Sequence, residues 1–160
     1  MPPSSQRPAE PGLDLLFLFS ELVRLETELW DAVEDRLQAD FGVTLPVFEF
    51  LQVISRNPAC RVQDIAEELS ITVGGTSKIV DRIEASGYCV RSANPDDRRS
   101  SIIKLTAAGK RLLPRLTATV DEELRSRFGS VPGKSLVQLS KTLTRLRASV
   151  RSGNAAQKTA

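Results

Sequence analysis

The stretch RVQDIAEELSITVGGTSKIVDRIEASG, residues 61–87, decides the fold. It holds two short helical patterns separated by a polar break. In the first, from about Val62 to Leu69, Ile65, Ala66 and Leu69 recur at helical spacing. The turn falls at Ser70-Ile71. Thr72 can then cap a second helix running to about Ser86, with Ile79, Val80 and Ile83 as its inner face. Gly87 supplies a left-handed end. Two short helices joined by so tight a turn form the arrangement in which the second lies in a major groove while the first braces it.

The outward face of that second helix opens with Thr72, Val73, Gly74, Gly75, Thr76, Ser77 and Lys78, and Arg82 follows one turn later. No acid lies between Thr72 and Lys78. Hydroxyls and amides can reach phosphates and base edges, and Lys78 and Arg82 can neutralise phosphates. A glycine inside a helix costs about 1 kcal/mol against alanine. Gly74-Gly75 therefore marks either a close approach of backbone to a surface or a loosely formed first turn.

Downstream the period changes. Tyr88 to Ala93 is short and partly β-favouring, Asn94-Pro95-Asp96-Asp97 is turn chemistry, and Ser101 to Leu105 reads as a second strand. The result is a β-hairpin with Arg98 and Arg99 at its tip. An arginine presented this way can enter a narrow minor groove, and Asp97 is placed to orient the Arg99 guanidinium. A solvated, charge-balanced turn is the alternative. Charge is patterned rather than massed: residues 61–104 carry seven cations and seven anions. Asp64, Glu67 and Glu68 are expected to face away from phosphates, with moderate salt dependence of binding.

Long helices flank this core. One is expected from about Leu13 to Phe41, with Phe19, Leu22, Val23, Leu29, Trp30, Val33 and Leu37 at helical spacing and Gly42 at its end. Its length suggests that part of it packs on another chain. Thr44 caps a second, with Pro46 in its first turn and Phe48, Leu51 and Ile54 inward. Asn57-Pro58 stops it. Thr106 caps a helix with Leu112, Leu116, Val120, Leu124 and Phe128 every four residues. After Gly129 to Gly133, the last helix spaces Leu136, Leu139, Leu143, Leu146 and Val150 by 3, 4, 3 and 4, a narrow seam that needs partner helices. The expected organisation is a disordered arm over 1–12, a dimerisation helix over 13–41, a lobe over 42–109, dimerisation helices over 110–152 and a flexible tail over 153–160. The fold class is mainly α with a β wing: a winged helix-turn-helix.

Composition excludes more than it assigns. The chain has 160 residues, 41% of them hydrophobic, a net charge of +2, two cysteines and no histidine. The commonest general base and metal ligand is absent, and two cysteines make neither a disulfide framework nor a metal site. No catalytic residue, metal or cofactor is expected. Without an apolar run of about 18 residues or a signal peptide in the first twelve, a cytoplasmic chain with no membrane partner is expected.

Residues from about Leu45 to Gly109 resemble the MarR family of multiple-antibiotic-resistance regulators. Ile79-Val80-Asp81-Arg82-Ile83-Glu84 with Gly87 is similar to the end of that family's recognition helix. Asn94-Pro95-Asp96-Asp97-Arg98-Arg99, then Leu105-Thr106 and Gly109, is similar to its wing. The resemblance implies an obligate homodimer with intertwined terminal helices. It implies a pseudo-palindromic operator on double-stranded DNA, and repression relieved by a small aromatic or anionic effector or by oxidation. By matching position, Arg99 would be the minor-groove arginine and Asp97 its partner. The DNA-contacting candidates are Arg61, Thr72, Gly74, Gly75, Thr76, Ser77, Lys78, Arg82, Asp97, Arg98 and Arg99. The paired glycines depart from the family, where many members carry at most one.

The family's effector pocket lies between the dimer helices and the lobe. Trp30 and Phe50 are the aromatic candidates for it and Arg24 the cationic one, although both aromatics also fit a plain core. Oxidation sensing needs an accessible thiol of low pKa, for which Cys60 beside Arg61 is the candidate. A winged helix can also serve as a protein-interaction module, which steep salt dependence of DNA binding would distinguish.

Overall fold

The computed structural model describes Gly12 and residues 14–158; of residues 154–158 only the backbone is described. Most of the expected arm, residues 1–11, and the expected helix start at Leu13 lie outside the described residues. The elements are α1 (Leu15–Phe41), α2 (Leu45–Arg56), α3 (Val62–Leu69), α4 (Val73–Ala85), β1 (Cys89–Ala93), β2 (Ser101–Leu105), α5 (Ala107–Phe128) and α6 (Gly133–Lys158). Two compact units divide within α5, between Glu123 and Leu124.

In the first unit the helix boundaries follow from capping. Asp14 Oδ1 accepts the N–H groups of Leu16 and Phe17, both at 3.0 Å, and so starts α1. Gly42, at φ 64°, ends it. The Thr44 hydroxyl accepts the Val47 N–H to open α2, and the Glu34 carboxylate accepts the Leu45 N–H, tying α1 to the same turn.

Between α3 and α4 the chain reverses at Ser70, whose φ of 57° makes it the only non-glycine residue at positive φ among the described residues. The Ile71 N–H reaches the Ala66 carbonyl at 3.0 Å, closing α3. At the far end of α4 the Gly87 N–H donates to the Glu84 carbonyl and the Tyr88 N–H to that of Ile83. With Gly87 at φ 80°, this is the expected left-handed termination.

The core of this unit is built from α1 to α5 and β2. Phe50, Leu51, Ile65, Val80, Ile83, Ile103 and Leu116 are all buried. Only Val33 and Leu37 of α1 join it. The N-terminal half of α1 keeps its large side chains at the surface, with Phe17 62% and Phe19 66% exposed. The hairpin pairs antiparallel, Cys89 with Leu105 through Ala93 with Ser101. Alternation then places Arg91 and Ile103 on one face, and Val90 and Lys104 on the other. The C-terminal part of α1 is also tied to α5: Arg36 bonds to Asp40 and Glu122, and Arg115 stacks on Phe41 at 5.1 Å.

Within α5, Pro114 has no N–H to offer the carbonyl one turn back. In the second unit, residues 124–158, α6 exposes its seam at Leu139, Leu143, Leu146 and Val150. Its backbone stays helical to Lys158, past the expected boundary at 153. Gly153 is followed by Ala155-Ala156, strong helix formers that let the helix run on. Among the described residues no single helix is long and apolar enough to cross a membrane, and no group of His, Cys, Asp or Glu could hold a metal ion.

Candidate nucleic-acid interface

The start of α4 is set by Thr72. Its hydroxyl accepts the Gly75 N–H at 3.1 Å, and its carbonyl accepts the Thr76 N–H at 2.9 Å. Thr72, Gly74, Lys78 and Arg82 are exposed, while Gly75 and Ser77 are half-buried. The two glycines differ. A Cβ on Gly75 would lie 3.0 Å from the Thr72 hydroxyl, so the cap favours glycine there. A Cβ on Gly74 would meet nothing within 4 Å. The fold does not require Gly74, and its bare backbone lies open to whatever approaches this helix.

Thr76 leaves the candidate set. It is fully buried, and its hydroxyl donates to the Thr72 carbonyl at 2.8 Å. The reason is periodicity: Thr76, Val80 and Ile83 share the inner face at spacings of four and three. Along the sequence its hydroxyl counts as polar surface; only its place on the helix wheel turns it inward.

The residue that organises this surface is one that the sequence pattern does not single out. Arg91, on β1, donates to Glu84 Oε2 at 2.6 Å and approaches Asp81 Oδ1 at 2.7 Å. It also donates to the Ser77 carbonyl at 3.4 Å, and its own backbone N–H reaches Glu84 Oε1 at 2.8 Å. That backbone N–H and the guanidinium hold the Glu84 carboxyl below its ordinary pKa. Both acids of α4, which lie beside its candidate contacts, are thus paired with one guanidinium from the wing, which offsets half of their charge. Lys78 and Arg82 make no ion pair among the described residues. The available signal was an arginine on the inward-facing register of a strand, which demands an anionic partner.

Arg61 is held as well. Its guanidinium bonds both oxygens of Asp64, at 3.0 and 3.2 Å, while its backbone N–H donates to Asp64 Oδ2 at 2.8 Å. The Asp64 carboxyl is lowered by the Arg61 guanidinium first of all. Arg61 therefore serves the start of α3, with 46% of its side chain still exposed.

At the hairpin tip, Asn94 Oδ1 accepts the Asp96 N–H at 3.0 Å and Asn94 Nδ2 donates to Ser100 Oγ at 2.8 Å. Asp97 Oδ1 accepts the backbone N–H of Arg99 at 2.9 Å. This corrects the expected partnership: the carboxylate is spent on the turn, not on the guanidinium. Arg98 and Arg99 stand exposed with no ion pair among the described residues.

The wing root is equally fixed. Thr106 donates its hydroxyl to the Gly87 carbonyl at 2.6 Å and its N–H to Tyr88 O at 3.1 Å. The same hydroxyl accepts the Gly109 N–H at 3.1 Å. A Cβ on Gly109 would stand 2.1 Å from Tyr88 O, so no other residue fits.

The three effector candidates do not converge. Phe50 is 1% exposed and belongs to the core, because it projects from the inward face of α2. Arg24 is exposed on α1, pairs with Glu21 at 3.2 Å and lines a shallow groove with Leu18, Leu22 and Leu25. Trp30 lines a separate one with Glu26 and Thr27. The thiols of Cys60 and Cys89 are buried, and burial pushes each pKa from 9.0 up to about 11. Neither is the accessible thiolate that oxidation sensing requires.

A braced pair of short helices, a two-stranded wing and a cationic rim on both define a winged helix-turn-helix. Residues 43–101 match the MarR family model. YfiV of Bacillus subtilis, an uncharacterized HTH-type transcriptional regulator, is 31% identical over 70 residues, covering 44% of each chain. The chain spans about half the length of such curated relatives. In structure, a MarR-family transcriptional regulator from Rhodococcus sp. RHA1 superimposes with a TM-score of 0.76 at 23% identity, covering 84% of this chain and 96% of that one. CouR from Rhodococcus jostii RHA1, in a crystal structure with p-coumaroyl-CoA bound, gives 0.71 at 25% identity, covering 83% and 91%. Over residues 43–101 the chain is thus similar to the MarR family, and its fold is that of the solved MarR-family regulators.

Proposed function

We propose that this regulator binds duplex DNA as a homodimer, setting the exposed start of α4 in the major groove and the Arg98-Arg99 tip in the minor groove. The observation that carries this reading is the sorting of charge. Asp81 and Glu84 are taken up by Arg91, while Lys78, Arg82, Arg98 and Arg99 face solvent without an ion pair among the described residues. Such a surface meets phosphates with unpaired cations forward and the two acids of α4 held back by Arg91.

The dimer is supported by α1 and α6, each of which holds an exposed apolar face. Their charges are complementary. Residues 15–41 hold seven acids and two cations, whereas 133–158 hold six cations and no acid. Two lobes related by a two-fold axis would read half-sites about 10 bp apart in a pseudo-palindromic operator. Repression in the cytoplasm, relieved by an aromatic or anionic small molecule, completes the reading; the ligand bound to CouR is of that kind.

The test is fluorescence anisotropy on genomic fragments selected by the protein itself. Affinity should fall moderately with salt, as the balanced charge of residues 61–104 requires, and Arg99→Ala should weaken binding about tenfold or more with the melting temperature unchanged. Undiminished affinity in Arg99→Ala would remove the wing from the interface.

A further inference from the structure

One cavity of the first unit is lined by no residue of α4 or the wing tip. It is a cleft of about 450 Å3 between the end of α2, the Asn57-Pro58 turn, the root of β2 and the first turns of α5. That volume is in the range of small-molecule sites, roughly 300–1,000 Å3. Its floor is apolar, with Ile54 and Ile103 both buried. Its rim carries two cations, Lys104 and Lys110, both exposed. Neither makes an ion pair among the described residues, and no acid lines the cleft.

An apolar floor desolvates a hydrocarbon body at a gain of about 25 cal/mol per Å2. A small inorganic anion would gain nothing from it, and a neutral hydrocarbon would leave both ammonium groups unused. The chemistry that uses both is a carboxylate on an aromatic or branched aliphatic body. We propose that this cleft binds such an amphipathic carboxylate, its body against Ile54 and Ile103 and its charge between Lys104 and Lys110.

The location gives binding a structural consequence. The Ile103 N–H donates to the Cys60 carbonyl at 2.7 Å, joining β2 to the segment that precedes α3. A ligand in the cleft would touch both sides of that joint. The assignment concerns the site and its ligand class and stands independently of the DNA reading.

The experiment is a titration of the full chain, without DNA, with 4-(trifluoromethyl)benzoate as probe and 4-(trifluoromethyl)benzamide as its uncharged counterpart. Fluorine NMR reads the ligand and amide chemical shifts read the protein. The expected result is saturable shifts at Ser55, Ile103, Lys104 and Leu105. Affinity should be about tenfold weaker for the amide and for the Lys104→Gln/Lys110→Gln variant, and largely restored in Lys104→Arg/Lys110→Arg. Both lysines are exposed, so the variants should keep the parent melting temperature. No saturation, equal affinity for the two probes, or shifts centred on Arg24 or Trp30 would each overturn the assignment. With no operator in the tube, such a failure leaves the DNA reading standing, and failure to bind operator leaves this one standing.

Discussion

The segment from α3 to the start of α5 and the N-terminal half of α1 are both helical surfaces rich in exposed side chains, yet they are finished differently. In the first, nearly every polar group near the bend is engaged within the chain. Arg61 holds Asp64, Arg91 holds Asp81 and Glu84, Asn94 and Asp97 shape the wing turn, and Thr106 bonds to Gly87. What stays exposed there without an ion pair among the described residues is mostly cationic: Lys78, Arg82, Arg98 and Arg99, with Asp96 at the tip. In the second, Leu15 to Phe19, Val23 and Trp30 are exposed and apolar. One surface is complete in a single copy of the chain and presents charge. The other lacks the cover that apolar area of that size calls for.

That contrast can be broken from the finished side first. Gly109→Ala should cost the most, about 3 kcal/mol or more, because its Cβ would collide with a main-chain oxygen that cannot swing aside. Urea denaturation measures it, and a change below about 1 kcal/mol would mean that the wing root yields. Arg91→Ala comes next, at about 1–2 kcal/mol, since its side chain is only 23% exposed while Asp81 and Glu84 keep water access. A double-mutant cycle with Glu84→Gln should show coupling, and DNA affinity should fall although Arg91 is not among the proposed contacts.

Acid and alkali sharpen the same point. Asp64 and Glu84 have carboxyls lowered from 3.8 and 4.5, so their contribution is present above those values and lost as pH falls through the depressed ones. Cys60 and Cys89 have raised pKa values. Their contribution is complete below pH 9.0 and lost as pH climbs to about 11. Chemical denaturation across pH should give a plateau that falls at both ends, with the alkaline fall reduced in Cys60→Ala/Cys89→Ala. The smallest effect on lobe stability belongs to the exposed seam of α6, in the second unit: for the proposed homodimer, Leu139→Ala/Leu143→Ala should yield monomers by sedimentation with the lobe still folded. Intact dimers would show that the seam is not the interface.

The sequence was most legible where one residue type answers one backbone demand. Thr44, Thr72, Gly42 and Gly87 placed helix ends to within a residue or two, because caps are local. The site was legible in outline, since a run without acids and an arginine-bearing turn are visible along a line of text. What escaped depends on distance. Thr76 looks like surface until the helix wheel turns it inward, and Phe50 sits at a position where an aromatic suits a pocket or a core equally well. Arg91 lies seven residues from Glu84 and ten from Asp81, a pairing that exists only once the hairpin folds back on α4. Gly109 is a similar case, as nothing in its neighbours announces that Tyr88 O will press on it.

The corner at Thr106 has a mechanical meaning. One main-chain oxygen, that of Tyr88, takes the N–H of the residue that begins α5 and packs against the Cα of Gly109. Finger and helix are thereby welded at the root, with no slack residue between them. The nearest point where α5 can flex is Pro114, two turns further on. A tilt applied to the helix on the near side of that proline must swing the arginine-tipped finger through an arc, as a tiller moves a rudder.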